Sequence, residues 1–213
     1  MSQVLQEREM HIIDQRTLGI LIVLLLAVLV VVKRAATGSV LEKPKPDLLL
    51  WLVNIFNLFF LLAANPLAAI LLITGRMDGI DPTSLEIASG WLLTVVEIGG
   101  LIIYLMGFLL MGWALISLGG KYQLGGSDPR TTDILIASGP YAFVRHPMYA
   151  AALCIAFGLA CLIQSLACLG AFIVYVVLIL RLIPVEEESL VRAYGEQYAA
   201  YRQKVSKLVP LLF

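Results

Sequence analysis

Residues 145–183 read RHPMYAAALCIAFGLACLIQSLACLGAFIVYVVLILRLI. Only Gln164 and Ser165 separate two apolar runs, 147–163 and 166–183, and no charged residue interrupts either before Arg181. A helix needs about 20 residues, within a range of about 17–25, to cross a bilayer, and each run has that length. A two-residue link leaves room for nothing but a tight antiparallel helical hairpin. The stretch therefore predicts one unit, a membrane-embedded pair of helices with Arg145 and His146 at its mouth.

Three further apolar runs precede the hairpin, at 18–32, 48–74 and 91–118. The second and third exceed a bilayer's thickness and must tilt or kink, and Pro66 marks the expected kink in the second. The first is short and needs flanking residues to complete a crossing. Lys33 and Arg34 follow it directly, where the cleavage region of a signal peptide is normally uncharged, so it reads as a retained span. Composition agrees: 60% of residues are hydrophobic and 14% charged, against an apolar share of about 45–50% in soluble domains, and mean hydropathy is +0.92. The expected fold class is all-α, a polytopic membrane bundle of about five transmembrane helices with a C-terminal cytoplasmic amphipathic helix. It divides into three spans over 1–118 and a catalytic region over 119–213.

A formal net charge of zero, with no basic stripe interleaved with aromatics, sets nucleic-acid binding aside. Cys154, Cys161 and Cys168 lie in apolar runs with no histidine among them, so no metal site is expected and they read as small packing residues. The basic residues are distributed unequally. With five spans, Lys33, Arg34, Lys43, Lys45, Lys121, Arg130, Arg145, Arg181, Arg192, Arg202, Lys204 and Lys207 fall on one side, and Arg8, Arg16 and Arg76 on the other. The positive-inside rule then places the N-terminus outside and the loop 119–146 and the tail after Ile183 in the cytoplasm.

That tail carries Leu190, Tyr194, Tyr198, Tyr201 and Val205 at steps of four, four, three and four, the period of one helix face. Gly195 permits a bend. The helix either lies on the membrane surface or folds back over the mouth of the bundle, and the second is the expected arrangement. On a straight helix Glu187 shares the stripe of Val191, Tyr194, Tyr198 and Tyr201. Glu188 points with Arg192 and Glu186 with Ala193 and Gln197. Glu187 is thus the acid expected to face a pocket, where a cationic ligand group would offset its burial. Glu186 and Glu188 are also explained by acidity at a helix start, which the macrodipole favours.

Pro147 suits the first position of a helix, and the amides of Met148, Tyr149 and Ala150 are expected to lack intrahelical partners, which makes an anion site. Arg145 and His146 add donors beside it, or else anchor to lipid headgroups. Tyr141 and Tyr149 flank the cluster, and their rings suit a nucleoside-bearing ligand. Glu97 is costly at membrane depth and is read as structural or interfacial near the outer end. Arg181 either snorkels or orients substrate.

The ordered series Gly139-Pro140-Tyr141, Arg145-His146-Pro147-Met148-Tyr149, a hydrophobic hairpin, Glu186-Glu187, Leu190, Gly195, Tyr198 and Tyr201 resembles the isoprenylcysteine carboxyl methyltransferase and phospholipid methyltransferase superfamily of integral membrane enzymes. The resemblance covers residues 119–213. It implies S-adenosylmethionine bound at the cytoplasmic end, between hairpin mouth and returning tail, and a lipophilic substrate entering from the bilayer. It places Tyr141, Arg145, His146, Met148, Tyr149, Glu186, Glu187 and Tyr198 at the cofactor, with Arg181 and Glu187 at the chemistry. An arginine often found four residues before the acid pair would fall at Leu182 here, and residues 1–118 match no motif.

The resemblance implies a methyltransferase acting on the polar end of a membrane-embedded lipophile, with carboxyl O-methylation ahead of lipid amine N-methylation. An NADPH-dependent membrane reductase of a sterol or prenoid lipid shares a His-Pro-x-Tyr turn, but there an Asn precedes the Tyr and Gly-Glu follows it, where this chain has Met148 and Ala150-Ala151. A non-enzymatic membrane protein is the third reading.

Overall fold

A computed structural model describes residues 13–37, 48–77, 80–85, 87, 89–119 and 135–210. The described residues are helical apart from turns and two isolated bridges. The helices are α1 (Gln15–Thr37), α2 (Leu48–Leu58), α3 (Asn65–Thr74), α4 (Gly90–Leu118), α5 (Pro147–Leu162), α6 (Leu166–Tyr194) and α7 (Glu196–Lys204). By length and apolarity α1, the run Leu48–Thr74, α4 and α6 are candidate membrane spans. At about 1.5 Å per residue α5, with 16 residues, is roughly 24 Å long, somewhat less than the ~30 Å hydrocarbon core.

Local chemistry sets the element boundaries. Asp14 starts α1 by accepting the Thr17 amide (3.0 Å) and hydroxyl (3.2 Å) on Oδ2. In the second run the irregularity begins about two turns before Pro66, as a π-helical turn over Phe59–Ala64. Pro66 has no N–H for the carbonyl four residues back, and the widened turn absorbs that loss. Asn65 seals it: its backbone and side-chain amides both donate to the Phe60 carbonyl, and the Tyr104 hydroxyl of α4 donates to its Oδ1. A second such pair, from the Tyr175 hydroxyl to Asn57 Oδ1, ties α6 to α2. Polar pairs of this kind hold helices together where lipid offers no hydrophobic drive between them.

The α5 helix packs most extensively against α4 rather than against its hairpin partner α6, so the expected two-helix unit is a three-helix one. Small residues permit the approach. A Cβ on Gly158 would stand 2.7 Å from Tyr104 N and 2.8 Å from Gly100 O, and one on Gly107 would meet Ile155 N at 2.8 Å. The order of these contacts makes α4 and α5 antiparallel. Gly158→Ala should therefore lower the unfolding temperature in detergent, because a clash with backbone, about 1–3 kcal/mol, exceeds the gain in helix propensity of about 0.5–1 kcal/mol. Gly170→Ala in α6, whose Cβ would meet nothing within 4 Å, should leave it unchanged or raise it. Equal responses would mean that the α4–α5 contact is looser than described.

The hairpin tip is pinned from outside. Gln164, with φ 51°, accepts the Leu85 amide (2.8 Å), and the Thr83 carbonyl accepts the Leu166 amide (3.1 Å). Ser165 caps α6 by accepting the Cys168 amide at 3.2 Å. At the opposite end of the bundle a Cβ on Gly119 would lie 4.0 Å from Ala36 O, and one on Gly139 would lie 2.5 Å from Ser117 Oγ. The C-terminal ends of α1 and α4 and the start of α5 therefore share one face, which also receives the chain after Ile183.

Beyond Ile183 the tail departs from the expected single helix. α6 continues through Pro184 to Tyr194, and the break falls at Gly195 (φ 57°, ψ −130°), a left-handed φ that glycine adopts without strain. Two expectations are corrected. Glu186 and Glu188 sit in the last third of a 29-residue helix, so first-turn acidity does not explain them. Nor does a straight stripe join Glu187 to Tyr198 and Tyr201, which lie beyond the break on α7.

Candidate active site

The tail folds back onto the mouth of α5. A parallel bridge pairs Val144 with Ser206, and the Arg145 and His146 amides donate to the carbonyls of Ser206 (2.8 Å) and Lys207 (3.0 Å). A 3-10 turn at Gly139–Ala142 precedes them and buries Tyr141, whose carbonyl accepts the Tyr201 hydroxyl at 2.5 Å. Backbone pairing and one tyrosine thus lay α7 over the loop before α5.

Beneath this roof lies an ionic cluster. Glu187 is 4% exposed, Arg145 9% and His146 7%. Arg145 Nε donates to Glu187 Oε1 at 2.7 Å, and its Nη1 donates to the carbonyls of Arg202 (2.9 Å) and Val205. His146 Nε2 lies 3.3 Å from Glu187 Oε1, and Nδ1 lies 3.7 Å from Glu186 Oε2. The Tyr149 hydroxyl donates to Glu186 Oε1 at 2.7 Å, and its ring stacks with His146, centroids 5.8 Å apart. Burial alone would raise the Glu187 pKa. Hydrogen bonds from His146 and Arg145, and the charge of Arg145, more than offset that and hold it at about 2.

Seven of the expected residues therefore meet: Tyr141, Arg145, His146, Tyr149, Glu186, Glu187 and Tyr198. Met148 packs partly buried against the apolar core. Arg181 is not brought to them. It is exposed, while the neighbouring Leu182, where a relative's arginine would fall, is 2% exposed. Glu188 is also outside, its side chain 71% exposed and 3.9 Å from Arg192. One amide of the expected anion site is spent, because Ala150 N–H donates to the His146 carbonyl at 3.1 Å. Met148 stands at a first-turn position. Among the described residues no group of His, Cys, Asp and Glu could hold a metal, and the expected loop residues 120–134 lie outside them.

Sequence reasoning missed Arg202, whose Nη1 lies 4.0 Å from Glu187 Oε2. Its spacing of four from Tyr198 was the available signal. It missed also an apolar groove of about 300 Å³ against the cluster's flank, lined by Leu110, Trp113, Pro140, Phe143, Leu208 and Pro210 among others.

Comparison with known proteins bears on this geometry. The family model described as Phospholipid methyltransferase matches residues 95–197, which include the whole ionic cluster and stop one residue before Tyr198. The protein-S-isoprenylcysteine O-methyltransferase of Schizosaccharomyces pombe is 31% identical over 114 residues, 50% of this chain and 48% of the relative. That of Xenopus laevis is 28% identical over 122 residues, 56% of this chain and 42% of the relative. The matched regions span about half the length of these curated relatives or less. The solved structure of a eukaryotic intramembrane Ras methyltransferase, an isoprenylcysteine carboxyl methyltransferase, superposes with a TM-score of 0.52 at 17% identity, over 88% of this chain and 74% of that one. At that identity the likeness is one of fold.

Proposed function

We propose that the chain belongs to the isoprenylcysteine carboxyl methyltransferase and phospholipid methyltransferase superfamily and is an S-adenosylmethionine-dependent methyltransferase that methylates a carboxylate on a membrane-embedded lipophile. The observation that carries this reading is the buried meeting of His146, Tyr149, Glu186 and Glu187 under α7. When bound, S-adenosylmethionine supplies a methyl group on a sulfonium: the acceptor oxygen forms the new C–O bond as the C–S bond breaks and its electron pair stays on sulfur.

The residues fit that cofactor. The cluster presents two carboxylates, Glu186 and Glu187, at the α5 mouth, and the cofactor is a net cation. Met148 offers a first-turn amide to its carboxylate, and Glu186, half-covered beside Tyr149 and His146, offers an acceptor to its ammonium. Tyr141 and Tyr149 supply rings for the nucleoside. The buried Tyr198 hydroxyl has no protein partner, as expected of a group that meets a ligand. The protein's work is alignment and exclusion of water, which methyl transfer mainly requires.

Carboxyl rather than amine methylation is supported by the relatives' names and by the chemistry of the cluster. A carboxylate needs no base, whereas an ammonium must lose a proton first. Glu187, with a pKa of about 2, does not take up protons near neutrality. Calorimetry should show micromolar binding of S-adenosylmethionine and S-adenosylhomocysteine and no comparable binding of NADPH. Glu186 and Glu187 would repel clustered phosphates by several kcal/mol in a site of low dielectric. Tight NADPH binding alone would support the reductase reading instead.

The site end carries most of the basic residues, among them Lys33, Arg34, Arg192, Arg202 and Lys204, so it faces the cytoplasm and the N-terminus lies outside. A tag after Phe213 should be reachable from the cytoplasm and one before Met1 should not. Both tags on one side would show that α5, shorter than the four candidate spans, fails to cross.

A further inference from the structure

Arg145, Tyr149 and Tyr201 commit donors within the cluster. Arg145 is bound to Glu187 and two carbonyls, Tyr149 to Glu186, and Tyr201 to the Tyr141 carbonyl. Tyr198 is the exception. It is 1% exposed, its ring lies 5.8 Å from that of Tyr201, and its hydroxyl has no partner. A buried donor left unmade costs about 1–3 kcal/mol. Arg202 follows four residues later on the same face of α7. Its side chain is 54% exposed, and its nearest carboxylate, Glu187 Oε2, is 4.0 Å away, too long for a direct hydrogen bond. A fully buried neutral donor and a loosely held guanidinium thus share one helix face of the roof.

We propose that the Tyr198 hydroxyl and the Arg202 guanidinium form a carboxylate-binding subsite for the methyl acceptor, separate from the cofactor's contacts at the α5 mouth. The subsite deepens the methyltransferase reading and rests on it for the identity of the acceptor. Burial, then the charge of Glu187, holds the Tyr198 proton above its ordinary range, so the hydroxyl stays a donor at any physiological pH. It can hold an anion by hydrogen bond beside two glutamates only if a cation accompanies it, and Arg202 is that cation. The pair would turn one acceptor oxygen toward the methyl group. No proton moves, since the acceptor enters already ionised.

The pair is tested by equilibrium binding of an S-isoprenylcysteine derivative, as free acid and as methyl ester, to the full chain in detergent, with S-adenosylmethionine affinity measured separately. Tyr198→Phe and Arg202→Gln should each weaken binding of the acid by about tenfold or more, the loss of a charge-assisted hydrogen bond. They should leave binding of the ester and of S-adenosylmethionine within about twofold, and Arg202→Lys should recover part of the acid's affinity. Loss of cofactor affinity with the acid unaffected would assign the pair to the cofactor and overturn the proposal, as would indifference of both ligands. Failure of the unaltered chain to bind S-adenosylmethionine, with the acid's sensitivity intact, would sink the methyltransferase reading and leave the carboxylate subsite standing. Arg202 is exposed, so its substitution reports even if Tyr198→Phe misfolds.

Discussion

Glu187→Gln is expected to weaken S-adenosylmethionine binding by about 10- to 150-fold, the equivalent of roughly 1.5–3 kcal/mol, while Glu188→Gln leaves it unchanged. The carboxylate is the shared anchor of Arg145 Nε at 2.7 Å and His146 Nε2 at 3.3 Å. A neutral amide oxygen still accepts, but it no longer balances the guanidinium, and the imidazole that frames the α5 mouth loses its orientation. Glu188 is solvated and makes only a distant contact with Arg192, worth a few tenths of a kcal/mol. Acid provides an independent check. The folded pKa of Glu187 is depressed from 4.5 to about 2, so its stabilisation is fully present above about pH 4.5 and is lost as pH falls toward 2. The gap in unfolding temperature between the unaltered chain and Glu187→Gln should therefore close over that window. A gap that persists at pH 2, or equal effects of the two substitutions on cofactor affinity, would remove Glu187 from its role.

Much of this arrangement was legible in the residues, for reasons that differ from element to element. Apolar run length and the two-residue link identify the helices because a bilayer permits only helices and closed barrels, and continuous apolar runs of this length exceed a barrel strand. The Arg145-His146-Pro147 mouth is local, so its proximity to Tyr141 and Tyr149 needs no tertiary knowledge. Glu187 was reached by a phase argument whose geometry does not hold: the Gly195 break carries Tyr198 and Tyr201 back by reversal of the chain, and a helical wheel does not represent a left-handed residue. Arg181 was misplaced because snorkelling and pocket-facing arginines look alike in sequence, and only burial of its neighbour Leu182 separates them. The pairing of Val144 with Ser206 had no sequence signal, since a two-residue bridge between a loop and a tail has no periodicity. The π-helical turn was half-visible, with Pro66 announcing a defect and Asn65 deciding where its hydrogen bonds go.

Arg145→Met should produce the largest loss of stability of any substitution at the site, about 3–5 kcal/mol, because it leaves the buried Glu187 carboxylate without its directly bonded guanidinium and with only the half-exposed Arg202, 4.0 Å away, as a cation. The guanidinium bridges two elements. Nε holds the acid on α6, and Nη1 holds the carbonyls of Arg202 and Val205, where the tail turns back. Lysine is not expected to substitute, since a single ammonium cannot serve the carboxylate and both carbonyls in the fixed fork that arginine supplies. Two measurements separate the electrostatic part from the tethering part. Thermal unfolding of Arg145→Met with Glu187→Leu should recover much of the loss, because replacing both members of a buried pair is far cheaper than orphaning one. Limited trypsin cleavage at Arg202 and Lys204 should stay fast in that double variant, because the carbonyl anchors are still missing and the tail is untied. If stability and protease resistance return together, the tail is held by its backbone bridge at Val144 and Ser206 alone, and Arg145 serves only to balance Glu187. If neither returns, the guanidinium's bonds to the tail carry the stability, and the fold at this end of the bundle depends on closing α7 over the site.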